Sequence, residues 1–123
     1  GRLVTSRETN ALLGVVNINE IVRGSFQSAY LGYYVFSPHQ GNGYMRGALA
    51  EALKWAFGAL SLHRVEANIQ PHNTRSIDLV RGLGFRMEGL SPGYLKVGGR
   101  WRDHERWALR ADGWRKSRKG AVQ

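Results

Sequence analysis

The segment SPHQGNGYMRGALAEALKWAF, residues Ser37–Phe57, joins a strand to a helix through a turn that holds two glycines. Ser37-Pro38 closes the apolar run before it, because proline cannot donate to a strand ladder. Beyond the turn, Met45, Ala48, Leu49, Ala52, Leu53, Ala56 and Leu60 recur at the period of an amphipathic helix, which predicts a helix from about Gly43 to Leu60. One capping residue is enough to start a helix, so Gly41 and Gly43 around Asn42 need a further reason. A helix N-terminus carries unpaired N–H groups and about half a positive charge, and both draw anions. Where an anion must lie against the backbone, a Cβ stands in its way and glycine removes it. Gln40 adds a side-chain donor. The turn reads as a cradle for a phosphate or pyrophosphate, with a plain glycine-rich turn as the other reading. It is not a Walker loop, since Gly43-Tyr44-Met45 stands where Gly-Lys-Ser/Thr is needed. Nor is it the dinucleotide fingerprint, since Arg46 stands where the third glycine would fall.

Upstream, SAYLGYYVF (Ser28–Phe36) and ALLGVVNINEIV (Ala11–Val22) read as strands, with a short strand near Leu3–Thr5 and a polar turn at Ser6–Asn10. Downstream, HRVEANIQ alternates: Val65, Ala67 and Ile69 face one way, and Arg64, Glu66, Asn68 and Gln70 the other. Pro71 stops it. NTRSIDLVRGL (Asn73–Leu83) predicts a shorter helix capped by Asn73 and ended by Gly84. FRMEGLSPGYLKV and RWRDHERWAL read as an antiparallel pair joined through Gly98-Gly99, with Trp101 and Trp107 expected in the core. The order implies an α/β fold, a mixed sheet with two helices packed on it.

The 123 residues suit one domain, read as residues 1–114, followed by a basic tail at 115–123. The chain lacks cysteine, which removes disulfides and thiolate chemistry and fits the reducing cytoplasm. No run is long and apolar enough to span a membrane. The four histidines, His39, His63, His72 and His104, have no metal-ligand spacing, so no metal is expected. A net charge of +9 favours anionic partners, and WRKSRKG (Trp114–Gly120) is either a polyanion contact or a solvated terminus.

Gln40-Gly41-Asn42-Gly43-Tyr44-Met45 resembles the pyrophosphate motif of the GNAT superfamily of N-acetyltransferases, with Met45 departing from the usual Gly or Ala. NTRSIDLVRGLGF resembles that family's second element, an Asn-initiated helix ending in x-Gly-Phe. VRGSFQSAYLGYYV, PHNTRS, LGF and GRWRDH are similar to the RimJ/RimL group, bacterial enzymes that acetylate ribosomal-protein N-termini, and the likeness runs to about Trp114. It implies a GNAT-type, mostly antiparallel sheet that splays at the cofactor site after Phe36. It also implies acetyl-CoA as cosubstrate and direct transfer of acetyl to an amine. The family begins with a strand and two helices for which this chain has no room, so an N-terminally truncated version is expected. An uncovered edge would be free to pair with a second copy as a homodimer.

The resemblance assigns residues in turn. Gln40, Gly41, Asn42, Gly43, Tyr44 and Met45 would cradle pyrophosphate. Val35, Phe36 and Ser37 would offer backbone groups to the pantetheine arm, and Asn73 would bond the same arm or simply cap its helix. Many family members carry a thiolate-protonating Tyr where this chain has Val80. Ser76, one turn into the same helix, matches a serine that is given this role in RimL-type enzymes; otherwise it is a surface serine bonding to the preceding turn. Glu66, with Asn68 on the same strand face, would relay the amine's proton through water; a cross-strand partner for a basic residue is the other reading. Tyr94, near Asp103 on the last two strands, would contact the acceptor; a core or rim tyrosine is the other reading. A terminal α-amine, with a pKa of about 7.7–8.0, is partly neutral at pH 7 and needs no strong base, unlike lysine at about 10.4. The expected function is acetyl-CoA-dependent N-acetylation of a protein N-terminus, a ribosomal-protein alanine above all. The alternatives are acetylation of a small amine, or a non-catalytic CoA- or RNA-binding remnant.

Overall fold

Each element begins and ends where local chemistry demands. The computed structural model describes residues 2–5, 12–35 and 44–122. In order these form β1 (Arg2–Thr5), β2 (Leu12–Val22), β3 (Ser28–Val35), α1 (Tyr44–Phe57), β4 (Arg64–Ile69), α2 (Thr74–Gly82), β5 (Arg86–Val97), β6 (Arg100–Arg110) and α3 (Ala111–Val122). Asn73 caps α2 by accepting a hydrogen bond from the Ser76 backbone N–H at 3.3 Å. The same helix ends in a Schellman arrangement. Gly84, at φ +100°, donates to the Arg81 carbonyl, and Phe85 donates to that of Val80. Gly98 and Gly99 both have positive φ, which gives the β5–β6 hairpin a turn whose twist matches its strands.

The described strands form one six-stranded sheet in the order β1-β2-β3-β4-β6-β5. Every neighbouring pair is antiparallel except β3 and β4, which α1 connects as a parallel crossover. This is the mixed, mostly antiparallel sheet that the sequence predicts.

The core lies on one face. Along β4, Val65, Ala67 and Ile69 are buried, while Arg64, Glu66 and Asn68 are half-buried on the other side. Leu49, Leu53 and Ala56 of α1 and Ile77 and Val80 of α2 pack on the buried face. Burying each such Leu or Val stabilises the fold by roughly 1.5–3 kcal/mol. The Arg46 guanidinium ties α1 to α2 by donating to the Gly82 carbonyl at 3.2 Å, and Arg81 lies 5.4 Å from the Trp107 ring centroid. The opposite face, with Arg64, Glu66, Asn68 and Arg106, carries no helix among the described residues.

Three features differ from the sequence reading. Helix α1 ends at Phe57 rather than Leu60, with Gly58 closing its last turn on the Lys54 carbonyl. A third helix, α3, runs through the residues read as a tail, so the boundary set at Trp114 falls inside it. Trp114 is buried, its ring centroid 6.0 Å from that of Phe57. Trp107 is buried as expected, but Trp101 is 67% exposed. Two register shifts in the β5–β6 ladder, between Met87 and Gly89 and between Ser91 and Leu95, separate Trp101 from the packed part of the sheet.

Candidate functional site

The site starts where a sheet stops pairing. Strands β3 and β4 pair only at Ser28–Arg64, Ala29–Val65 and Tyr30–Glu66. Beyond that point β3 runs on to Val35, held by β2, and β4 runs on to Ile69, held by β6. The two arms part at Tyr30 and Glu66, well before the split expected after Phe36. Among the described residues, the facing edges of Leu31–Val35 and Ala67–Ile69 have no strand partner in each other. Unpaired backbone groups are costly unless something bonds them. The wedge suits an extended ligand that carries amide groups, as a pantetheine arm does. It opens toward the carboxyl ends of the parallel pair, where crossover folds bind ligands.

Both helices that follow these strands begin at that end. Helix α1 starts at Tyr44 and α2 at Thr74, and neither has an acidic residue in its first turn. Their N-terminal dipoles are therefore not neutralised locally and favour an anion. Val35 ends β3 and Tyr44 starts α1. Phe36, Ser37, Gln40, Gly41, Asn42 and Gly43, all read as cofactor contacts, lie outside the described residues. Met45 is buried in the core, so what it has for a ligand is its backbone N–H. Asn73 is the helix cap, its carbonyl oxygen already accepting from Ser76 N–H, which leaves Nδ2 as its donor for a ligand.

Ser76 has a partner that the sequence did not reveal. The Tyr33 hydroxyl lies 2.6 Å from Ser76 Oγ and 3.4 Å from the Ser76 carbonyl oxygen. Tyr33 belongs to the β3 arm and Ser76 to the helix that follows β4, so the contact bridges the wedge. Burial pushes the Tyr33 phenol above its ordinary value, and the bond to Ser76 works in the opposite direction. Val80, the position where many family members carry tyrosine, is fully buried in the core.

The other candidates lie on the opposite face of the sheet. Arg64 reaches Glu66 Oε1 with Nη2 at 3.1 Å. It also grips both carboxylate oxygens of Glu88, with Nη1–Oε2 at 2.8 Å. These bonds, that to Glu88 above all, raise the Arg64 pKa and hold the Glu88 carboxyl below its usual range. Asn68 stands two residues from Glu66, opposite Arg106 on β6. The Tyr30 phenol is pushed up by burial first and then by the Glu66 charge, with the neighbouring Tyr94 adding to the shift. Tyr94 thereby joins the Glu66 side of the wedge, and its ring stands 6.4 Å from that of His104. Ser76 and Asn73 thus stand on one side of the sheet, and Glu66, Asn68 and Tyr94 on the other. The signal that could have found Tyr33 and Tyr30 is the alternation within SAYLGYYVF, which sends Ala29, Leu31 and Tyr33 toward the helices and Tyr30 away from them.

Beside the α2 start, Gln70, Pro71, His72, Trp101, Arg102 and Asp103 line a cleft of about 370 Å³. Asp103 accepts a hydrogen bond from the Gly93 backbone N–H at 2.8 Å, which fixes its carboxylate near the hairpin. Among the described residues no group of three or more His, Asp or Glu could hold a metal ion, and no helix is long and apolar enough to cross a membrane.

Comparison with known proteins matches this arrangement. The family described as "Acetyltransferase (GNAT) domain" matches residues 1–86. The chain is 44% identical over 103 residues to the [ribosomal protein uS5]-alanine N-acetyltransferase of Escherichia coli (strain K12), covering 84% of this chain and 53% of that protein. It is 29% identical over 105 residues to the spermidine N(1)-acetyltransferase of Vibrio cholerae, covering 85% and 60%. Among solved structures, Mycobacterium smegmatis RimJ in complex with CoA-disulfide superposes with a TM-score of 0.81 at 38% identity, covering 90% of this chain and 56% of that one. The chain thus spans about half the length of its ribosomal-protein-acetylating relative. With a family match over most of its length and a parallel strand pair that splays open, this chain belongs to the GNAT acetyltransferase family.

Proposed function

We propose that this chain is the acetyl-CoA-binding part of an N-acetyltransferase whose acceptor is the N-terminal α-amine of a protein, a ribosomal protein that begins with alanine. The observation that carries the reading is the end of β3–β4 pairing at Tyr30 and Glu66, which opens one gap with Ser76 on one side and Glu66 on the other. Acetyl-CoA supplies the acetyl group as an activated thioester. The free backbone edges of the wedge bind its amide-bearing arm, Asn73 Nδ2 adds a donor, and the α1 and α2 N-termini attract its phosphates. The turn at Gln40–Gly43, with Val35, Phe36, Ser37, Tyr44 and Met45 around it, completes the cradle. Ser76 donates a hydrogen bond to the sulfur as negative charge gathers there. Glu66 and Asn68 hold the water that takes the amine's proton, and Tyr94 orients the acceptor.

The choice of acceptor rests on charge. A polyamine needs free carboxylates, whereas Glu66 and Glu88 both bond Arg64. A net charge of +9 also repels a polycation. An α-amine with a pKa of about 7.7–8.0 needs only weak base assistance, which a carboxylate shared with Arg64 can give. The similarity to a spermidine acetyltransferase supports the small-amine reading as the alternative. The test is turnover with acetyl-CoA on an alanine-first peptide against spermidine at equal concentration. Peptide acetylation with a kcat/KM at least tenfold higher supports the proposal; the reverse order assigns the site to small amines.

A further inference from the structure

We propose that Tyr33 is a positioning residue that acts through Ser76: its hydroxyl donates to Ser76 Oγ, turning the Ser76 O–H toward the sulfur of the leaving thiol. The inference rests on the acetyltransferase reading above and adds to it a residue from the far arm of the wedge.

A serine hydroxyl has one proton and two lone pairs. In the first turn of a helix that proton commonly bonds back to the preceding turn and is lost to chemistry. Here the Tyr33 hydroxyl sits 2.6 Å from Ser76 Oγ, a short distance for an O–H···O bond. Burial holds Tyr33 in its protonated form, so it has a proton to give. Its only other described acceptor is the Ser76 carbonyl oxygen at 3.4 Å, which is a weak contact. Either hydroxyl can donate across this contact; with Tyr33 as the donor to Oγ, as proposed, the Ser76 proton is left to point elsewhere. Asn73 fixes the same residue from the backbone side by accepting from its N–H, so the hydroxyl is held at both ends of the residue. A bond received at Oγ polarises the O–H and makes it a stronger donor. Serine alone is a feeble acid, and the tyrosine that many relatives carry on this helix is Val80 here. A phenol reaching across from β3 stands behind the serine instead.

The transfer balances with Ser76 as a donor that keeps its proton. The amine nitrogen bonds the carbonyl carbon, the C–S bond breaks with its electron pair on sulfur, and the amine's proton leaves through water. Ser76 O–H stabilises the sulfur anion, and Tyr33 O–H stabilises Ser76.

The readout is the acidity of CoA bound to the full 123-residue chain, followed by the ultraviolet absorbance of its thiolate. It needs no acceptor and no turnover. Tyr33→Phe and Ser76→Ala each lower the acidity constant of the bound thiol by about tenfold, as loss of a hydrogen bond to a charged atom predicts. The double variant goes no lower than either single one, because the two act as one unit. Ser76→Thr, which keeps the hydroxyl, restores the value. Binding of CoA at a pH where the thiol is protonated stays within about twofold in all of these. With an acceptor present, Tyr33→Phe lowers kcat and leaves KM for acetyl-CoA unchanged. If Tyr33→Phe impairs folding, replacing Tyr33 with a fluorinated tyrosine keeps the ring and strengthens the donor, and bound CoA then becomes more acidic. A bound-thiol acidity that ignores Tyr33→Phe but falls in Ser76→Ala overturns the role of Tyr33; one that ignores both overturns the relay. Failure of the unmodified chain to bind CoA overturns the acetyltransferase reading itself.

Discussion

Tyr30 and Glu66 are the last paired residues between β3 and β4, and their side chains share the sheet face that carries no described helix. The Glu66 charge is close enough to push the Tyr30 phenol upward, second only to burial. This pair marks the fork of the wedge and sets a carboxylate at its throat.

Replacing that carboxylate tests its role. Glu66→Gln removes the charge and keeps the shape. The Tyr30 phenol then moves down toward its ordinary value, which NMR titration of ring-labelled tyrosine reads directly. Turnover on an alanine-first peptide falls by about 10²-fold, the scale of a lost proton acceptor, while acetyl-CoA affinity holds. Unchanged turnover removes Glu66 from the proton route and leaves it as a partner of Arg64.

Glu88 makes acid stability depend on Arg64. Its folded-state pKa lies below the unfolded value, chiefly through the hydrogen bonds from Arg64. Its contribution is therefore present above the unfolded glutamate pKa and is lost as pH falls through the lowered one. The Glu88 side chain is 36% exposed, so screening holds the effect below about 1 kcal/mol. Glu88→Gln should flatten the stability profile between those two pKa values, as read by urea denaturation at a series of pH values. A profile as steep as that of the parent would assign the acid sensitivity to other carboxylates.

Trp114 decides whether the C-terminal residues are structure or tail. The residue is 9% exposed, and its ring packs near that of Phe57. Trp114→Ala should cost about 3 kcal/mol in chemical denaturation, the range for a large buried side chain. A loss of less than about 0.5 kcal/mol, typical of a surface position, would mean that α3 does not dock.

What the sequence made legible was local. The alternation of Val65, Ala67 and Ile69 against Glu66 and Asn68 gave β4 and its two faces, because a half-buried strand must alternate. Asn73 and Gly84 bracketed α2, because a helix needs its end groups satisfied. What stayed hidden was long-range. The point where β3 leaves β4 depends on pairs some 36 residues apart in the chain, and no residue type announces it. The Tyr33–Ser76 contact joins residues 43 apart. Helix α3 escaped notice because arginines and lysines dominate its sequence, and among its described side chains Ala111 and Trp114 are the buried ones. Trp101 shares a strand parity with Trp107, yet parity does not tell where the supporting helices stop.

Above all, the wedge and the helix starts beside it should bind acetyl-CoA. Calorimetric titration of the 123-residue chain with acetyl-CoA tests it most directly. One site per chain is expected, with a dissociation constant on the order of micromolar, about −8 kcal/mol, and weaker binding of pantetheine, which lacks the phosphates. No heat and no saturation at millimolar acetyl-CoA, from a chain that is folded by circular dichroism, would contradict it.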